Sequence, residues 1–242
     1  VRLEAGQRVL IALDHGGAGQ ALASALRESG VEVLAAPPAE LVSQAAEWSA
    51  QGPVHGVYWL PALDAEGELA ALDLAGWRAA LTLRVKNLYG LMRALYQQIA
   101  AAGTFLIAAT RLGGQHGYGE SGADNPMGGA VAGFTKAYKR ERPAALVKVV
   151  DFTADCSPAE IADLLRAEAL RDPGAVELGY RGGLRWAVGL VERSAEDGQP
   201  ALPLSRDSVF VVTGAAGGIV SAIVADLAAA AGGTFYLLDK AP

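Results

Sequence analysis

The sequence predicts an α/β protein built on a doubly wound parallel sheet. Three observations carry that reading. Apolar runs of strand length alternate with segments whose apolar residues recur every three or four positions. Glycine-containing turns fall between the strand-like and helix-like segments. One stretch, Val209-Phe-Val-Val-Thr-Gly-Ala-Ala-Gly-Gly-Ile-Val220, reads as a buried strand, a glycine turn and the start of a helix.

Taken in order, Arg8-Val-Leu-Ile-Ala-Leu13 is a buried strand and Asp14-His-Gly-Gly-Ala-Gly19 a turn. Ala21, Leu22, Ala25 and Leu26 then form one face of a helix that Gly30 stops. Residues 31–34 are the next strand. An amphipathic segment over 41–48 leads to a strand over 54–60, which Pro61 is expected to end because proline donates nothing to a ladder. Leu81, Val85, Leu88, Leu91, Met92, Leu95 and Ile99 recur at helical spacing and predict a long helix closed by Gly103. A strand over 104–110, a glycine-rich loop over 113–122, a helix over about 127–142, a strand over 145–150 and a helix over 158–170 continue the alternation. Residues 175–180 and 184–190 flank Arg181-Gly-Gly183 and read as a hairpin. Residues 1–193 thus make one Rossmann-like unit. Residues 194–206, opening with Ser194-Ala-Glu-Asp-Gly-Gln-Pro200, read as a linker, and 207–242 as the first β-α-β of a second Rossmann-like unit, with too few strands to stand alone.

Composition narrows the function. With 242 residues, 52% of them hydrophobic, the chain can bury a full core and is too apolar for disorder. Its apolar runs are strand-sized and no basic-then-apolar segment opens it, so neither a membrane span nor a signal peptide is read and the cytoplasm is the expected location. The single cysteine, Cys156, excludes an internal disulfide and a thiolate zinc site. His15, His55 and His116 lack metal-ligand spacing, and no metal is assigned. A net charge of −6 argues against a nucleic-acid partner. The basic run Lys136-Ala-Tyr-Lys-Arg-Glu-Arg142 leaves two readings open, a solvated helix face or a docking patch for an acidic carrier protein.

The chemistry concentrates in the tail. A glycine turn followed by a helix aims backbone N–H groups at a phosphate, which makes a dinucleotide the natural ligand. Ile219, Ile223 and Leu227 share helical spacing, Gly232-Gly233 stops the helix, and Thr234-Phe-Tyr-Leu-Leu238 is a second strand ending at Asp239, placed to accept a ribose 2′-OH. Thr213, Gly214, Ala216, Gly217, Gly218, Ile219, Asp239 and Lys240 are the candidate cofactor residues. The corresponding turn of the first unit, Asp14 to Gly19, has Leu22 at the third glycine position and no acid after the next strand, and reads as vestigial. That unit also lacks a reductase's proton-donating tyrosine with a lysine four residues on: Asn125-Pro-Met-Gly-Gly-Ala130 occupies the place, and the preceding strand ends in Thr110-Arg111 instead of a serine. Tyr138 and Arg142 have the spacing but not the chemistry, because arginine does not shuttle protons, and they read as a surface pair.

These features, with residues 54–60, Asn125-Pro-Met-Gly-Gly-Ala-Val-Ala-Gly133, Lys148-Val-Val-Asp-Phe152, Val176-Glu-Leu-Gly-Tyr-Arg-Gly-Gly183 and Thr213-Gly-Ala-Ala-Gly-Gly-Ile-Val220, give the chain a resemblance to the ketoreductase region of type I polyketide synthases and polyunsaturated-fatty-acid-type synthases. The resemblance implies a truncated, non-catalytic Rossmann-like structural subdomain followed by the start of a catalytic short-chain dehydrogenase subdomain. It implies NADPH as cofactor, with NADH possible, and reduction of a β-ketoacyl chain carried on the phosphopantetheine of an acyl carrier protein. The remaining catalytic subdomain and neighbouring synthase domains are the other implied partners, and the catalytic residues would lie beyond Pro242, so none is assigned. A non-catalytic scaffold or docking module is the alternative. Two departures stand out: Val220 replaces the family's last glycine, and Asp239 favours NADH whereas Lys240 suits the 2′-phosphate of NADPH.

Overall fold

The computed structural model describes residues 1–194 and 203–240. Its backbone divides into two compact units, Val1–Gly189 and Leu190–Pro242. Most of the expected linker, residues 195–202, lies outside the described residues.

The first unit is a seven-stranded sheet in the order β2-β1-β3-β4-β5-β6-β7. Its elements are β1 (Arg8–Ala12), α1 (Ala18–Glu28), β2 (Glu32–Ala36), α2 (Pro38–Ala50), β3 (Gly56–Ala62), α3 (Leu74–Leu81), α4 (Asn87–Ala94), β4 (Phe105–Thr110), α5 (Gly128–Glu141), β5 (Leu146–Phe152), α6 (Pro158–Leu170), β6 (Glu177–Arg181) and β7 (Leu184–Ala187). Every pairing is parallel except β6 with β7, whose hairpin turns through Gly182 and Gly183. Side chains alternate across the strands and feed two cores. Leu10, Val57, Trp59, Leu106 and Val147 pack against α2, α4 and α5 through Leu41, Leu91, Met92 and Val131. Val9, Ile11, Tyr58, Ile107 and Val150 pack against α1 and α6 through Leu22, Leu26, Ile161 and Leu165. The doubly wound sheet that the pattern predicts is the one observed.

Several local expectations are corrected. Pro61 does not end its strand: β3 runs to Ala62, and the ladder to β4 takes one extra residue between Trp59 and Ala62, a bulge that accommodates a residue without an N–H. The strand predicted at 184–190 stops at Ala187. The long helix over 81–99 is interrupted. Residues 82–86 form a π turn between α3 and α4, the helix ends at Ala94, and Leu95 and Ile99 reach the core from turns. The π turn frees the Arg84 carbonyl for the buried Trp59 indole N–H, 2.9 Å away.

The second unit holds β8 (Val209–Thr213), α7 (Gly218–Ala231) and β9 (Thr234–Leu238), with β8 and β9 parallel. Phe210 and Phe235 stack with ring centroids 4.5 Å apart. The inward face of α7 is Val220, Val224, Leu227, Ala228 and Ala231; Ile219 and Ile223, expected to share a face with Leu227, are exposed. Helix α7 carries apolar residues on every side, with only Ser221 and Asp226 polar, so spacing alone did not set its rotation.

Candidate functional site

Both units place a strand-turn-helix where a Rossmann-like fold receives a pyrophosphate, and the two turns differ in what fills them. In the first, the Asp14 carboxylate folds back into the N-terminus of α1. Its Oδ2 accepts the Ala18 N–H at 3.1 Å and its Oδ1 the Gly19 N–H at 2.7 Å. The side chain is buried, and a Cβ built on Gly16 or Gly19 would meet it at 3.0 and 3.2 Å respectively. A carboxylate thus sits where an anion would be held, satisfying helix N–H groups and their positive end.

The same device recurs along the carboxyl edge of the sheet. Glu66 accepts the N–H groups of Met127 and Gly128 at the start of α5, at 3.0 and 3.1 Å. Asp151, at the end of β5, accepts the Thr110 hydroxyl and the N–H groups of Leu112 and His116. Thr110, at the place of the missing serine, is therefore committed to the scaffold. His15 reaches Asp64 through both its backbone N–H and Nδ1, each at 2.8 Å, linking the ends of β1 and β3 where the strand order reverses. Open α/β sheets bind ligands at this edge, and in this unit its carboxylates bind the protein's own loops.

The second turn is open. Thr213 ends β8, Gly214 has φ of +70°, and Gly217 donates to the Gly214 carbonyl and precedes α7. Among the described residues, a Cβ added at Gly214 or Gly218 would meet nothing within 4 Å. Among the described residues no acceptor takes the N–H groups of Gly218, Ile219 or Val220, the first three of α7. Ile219 projects outward, 79% exposed, and the branched Val220 is half-buried. Asp239, immediately after β9, accepts the Ala216 N–H on Oδ2 at 2.5 Å and the Lys240 N–H on Oδ1 at 2.7 Å. These residues fit a dinucleotide pyrophosphate: glycines allow close approach, and free N–H groups stand at a helix start.

Elsewhere the structure assigns scaffolding roles. Tyr138, expected on the surface, is buried, and its hydroxyl donates to the Ile99 carbonyl at 2.7 Å; Arg142 lies over the Tyr96 ring. The basic run around them is largely engaged, since Lys136 pairs with Glu177 at 2.8 Å and Lys139 bonds the carbonyls of Pro143 and Ala145. Tyr236 and Lys240 stand four residues apart, yet on extended backbone that spacing separates them by about 13 Å. Burial pushes the Cys156 thiol up to about 12, with a Glu160 contact adding to it, so it stays protonated. The described residues contain no cluster of histidine, cysteine and carboxylate able to hold a metal ion, and no helix long and apolar enough to cross a membrane.

The role of Asp14 escaped the sequence reading. Its signal was there: an acid four and five residues ahead of the first N–H groups of a helix, within side-chain reach of them. The roles of Glu66 and Asp151 had no local signal, because their partners lie 61 and 35 residues or more away.

No known family profile matches the chain, and no curated protein matches it. Solved structures do. A short-chain dehydrogenase/reductase of the glucose/ribitol dehydrogenase type from Brucella melitensis is 14% identical with a TM-score of 0.56, covering 72% of this chain and 95% of its own. A short-chain dehydrogenase from Burkholderia cenocepacia in complex with NADP is 16% identical with a TM-score of 0.53, covering 68% of this chain and 90% of its own. A multidomain structure of a keto acid-selecting NRPS module, with adenylation, ketoreductase and pseudo Asub parts, is 17% identical with a TM-score of 0.70; it covers 99% of this chain, which spans 21% of that one. At these identities the likeness establishes the fold.

Proposed function

We propose that this chain belongs to an NAD(P)H-dependent ketoreductase of a multidomain synthase, with the first unit a structural brace and the second opening the cofactor site. The observation that carries the proposal is the contrast between the turns: Asp14 fills the first, and Gly214 to Gly218 leave the second open. Support comes from the ketoreductase-containing module that spans 99% of the chain, and from the NADP found with one of the similar dehydrogenases.

On this reading the Gly218, Ile219 and Val220 N–H groups receive the pyrophosphate, Asp239 and Lys240 lie toward the adenosine ribose, and NADPH or NADH supplies a hydride when bound. The substrate is a β-ketoacyl chain on the phosphopantetheine of an acyl carrier protein, reduced to the β-hydroxyacyl thioester. The tyrosine and serine of the reaction are not provided by the first unit, where Tyr138 and Thr110 are bonded into the scaffold. Further synthase domains are the remaining partners, and the cytoplasm is the proposed location.

The test is a titration of the chain with NADPH and NADH followed by addition of a β-ketoacyl thioester. Saturable binding without consumption of reduced cofactor is expected. Binding that survives Gly218→Glu but is lost in Gly17→Glu, at the start of α1, would reverse the assignment of the two units.

A further inference from the structure

The second turn is joined to the end of β9 by very few bonds. The Ala215 N–H reaches the Leu238 carbonyl only at 3.4 Å, and the Gly217 N–H bonds within the turn itself. The short contact is the one from the Ala216 N–H to Asp239 Oδ2, at 2.5 Å, while Oδ1 accepts the Lys240 N–H at 2.7 Å and so fixes the carboxylate's direction. Hydrogen bonds to an ionised carboxylate are stronger than neutral ones. Asp239 therefore ties the turn to the second strand.

We propose that Asp239 is a positioning residue that clasps the glycine turn, so that the N–H groups of Gly218, Ile219 and Val220 are held ready for a pyrophosphate. This rests on reading the β8–α7 turn as the dinucleotide site. The clasp differs in consequence from a ribose acceptor at the same position. A ribose acceptor distinguishes NADH from NADPH, because only NADH keeps the 2′-hydroxyl of the adenosine ribose, which NADPH carries as a phosphate. A clasp acts on the pyrophosphate, common to both, and its removal weakens both alike.

The substitutions Asp239→Ala and Asp239→Asn in the full chain separate the two roles, because asparagine keeps an oxygen that can accept the Ala216 N–H. Two readouts are needed. The first is amide hydrogen exchange at Ala216 with no cofactor present: protection in the original chain and in Asp239→Asn, and loss of it in Asp239→Ala. The second is equilibrium binding of NADH and of NADPH: about tenfold or more weakening of both in Asp239→Ala, as expected for losing a hydrogen bond to a charged group, and partial recovery in Asp239→Asn, whose neutral amide oxygen can accept the Ala216 N–H but whose Nδ2 cannot accept that of Lys240. Weakening confined to NADH, an asparagine variant no better than alanine, or unchanged exchange at Ala216 would each overturn the clasp. If the original chain binds neither dinucleotide, the proposed function fails, and the exchange measurement still decides whether the clasp exists.

Discussion

The β1–α1 and β8–α7 turns share one local plan, and their surroundings have taken them in opposite directions. In the first, all five residues of β1 are buried and an aspartate of the turn is folded into the helix start. In the second, the aspartate comes from the far end of the unit and takes the Ala216 N–H, and among the described residues no acceptor takes the first N–H groups of α7. A carboxylate and a phosphate compete for the same N–H groups. Where the chain supplies the anion itself, it gains a buried, satisfied helix end. The difference teaches that a glycine turn alone does not leave a helix start open to an anion; what sits in front of the helix decides that.

The self-sufficiency of the first unit can be broken most severely at Glu168. This fully buried carboxylate accepts from Lys148 at 2.8 Å, from Arg171, from Tyr180 and from Arg185, tying α6 to β5, β6 and β7. Glu168→Ala leaves the buried Lys148 unpaired and is expected to destabilise the unit by about 3–5 kcal/mol, read as a lowered midpoint in chemical denaturation. The pH dependence has a definite sign. Burial alone would raise the Glu168 carboxyl, but hydrogen bonds from Arg185, Lys148, Tyr180 and Arg171 outweigh it and hold the group well below the usual carboxylate range. Its contribution is therefore complete above the unfolded value of about 4.3 and fades as the pH falls below it. In Glu168→Ala the acid limb of the stability profile is expected to flatten.

The comparison itself is tested more directly at Asp14. Asp14→Ala strands the Ala18 and Gly19 N–H groups and is expected to cost about 1–3 kcal/mol in thermal or chemical unfolding. It also vacates an anion site. Added pyrophosphate is expected to recover part of that loss in Asp14→Ala and to leave the first unit of the original chain unmoved; an equal response from both would show that the aspartate does not block the turn.

The open turn gives smaller effects on stability and larger ones on binding. Gly214→Ala forces a side chain into a φ of +70° and is expected to cost about 1–2 kcal/mol and to weaken dinucleotide binding, measured by calorimetry. Gly218→Ala is the milder and sharper experiment. Its new methyl meets no atom and alanine favours a helix, so stability is expected to rise by about 0.5–1 kcal/mol while binding falls, because the methyl occupies the phosphate's approach. A gain in both would argue against a ligand there.

Legibility followed the range of the interaction involved. Helix α6 was readable to its ends because its signals are adjacent: the Ser157 hydroxyl caps Glu160 N, and Pro158 stands at the first helical position. The sheet class was readable from alternation. The burial of Tyr138 was not, since its spacing to Arg142 says nothing of the Ile99 carbonyl it meets from another part of the chain. The rotation of α7 was hidden for a different reason, its apolar residues surrounding the helix on every side. Of the candidate site, Thr213, Gly214, Ala216, Gly217, Gly218, Ile219, Asp239 and Lys240 are named from a local pattern, while the bond from Ala216 to Asp239 spans 23 residues and was out of reach.

The order of strands and helices, the two glycine turns and the acid after the last strand are properties of neighbouring residues, and the sequence by itself determined them. Which turn is filled and which stands open was decided only in the tertiary structure. Hydrogen bonds are directional and short, so whether a carboxylate satisfies a helix start depends on where the folded backbone aims it: for Asp14 the sequence places the acid within reach of the helix but does not fix its aim, and for Asp239 its partner lies 23 residues away.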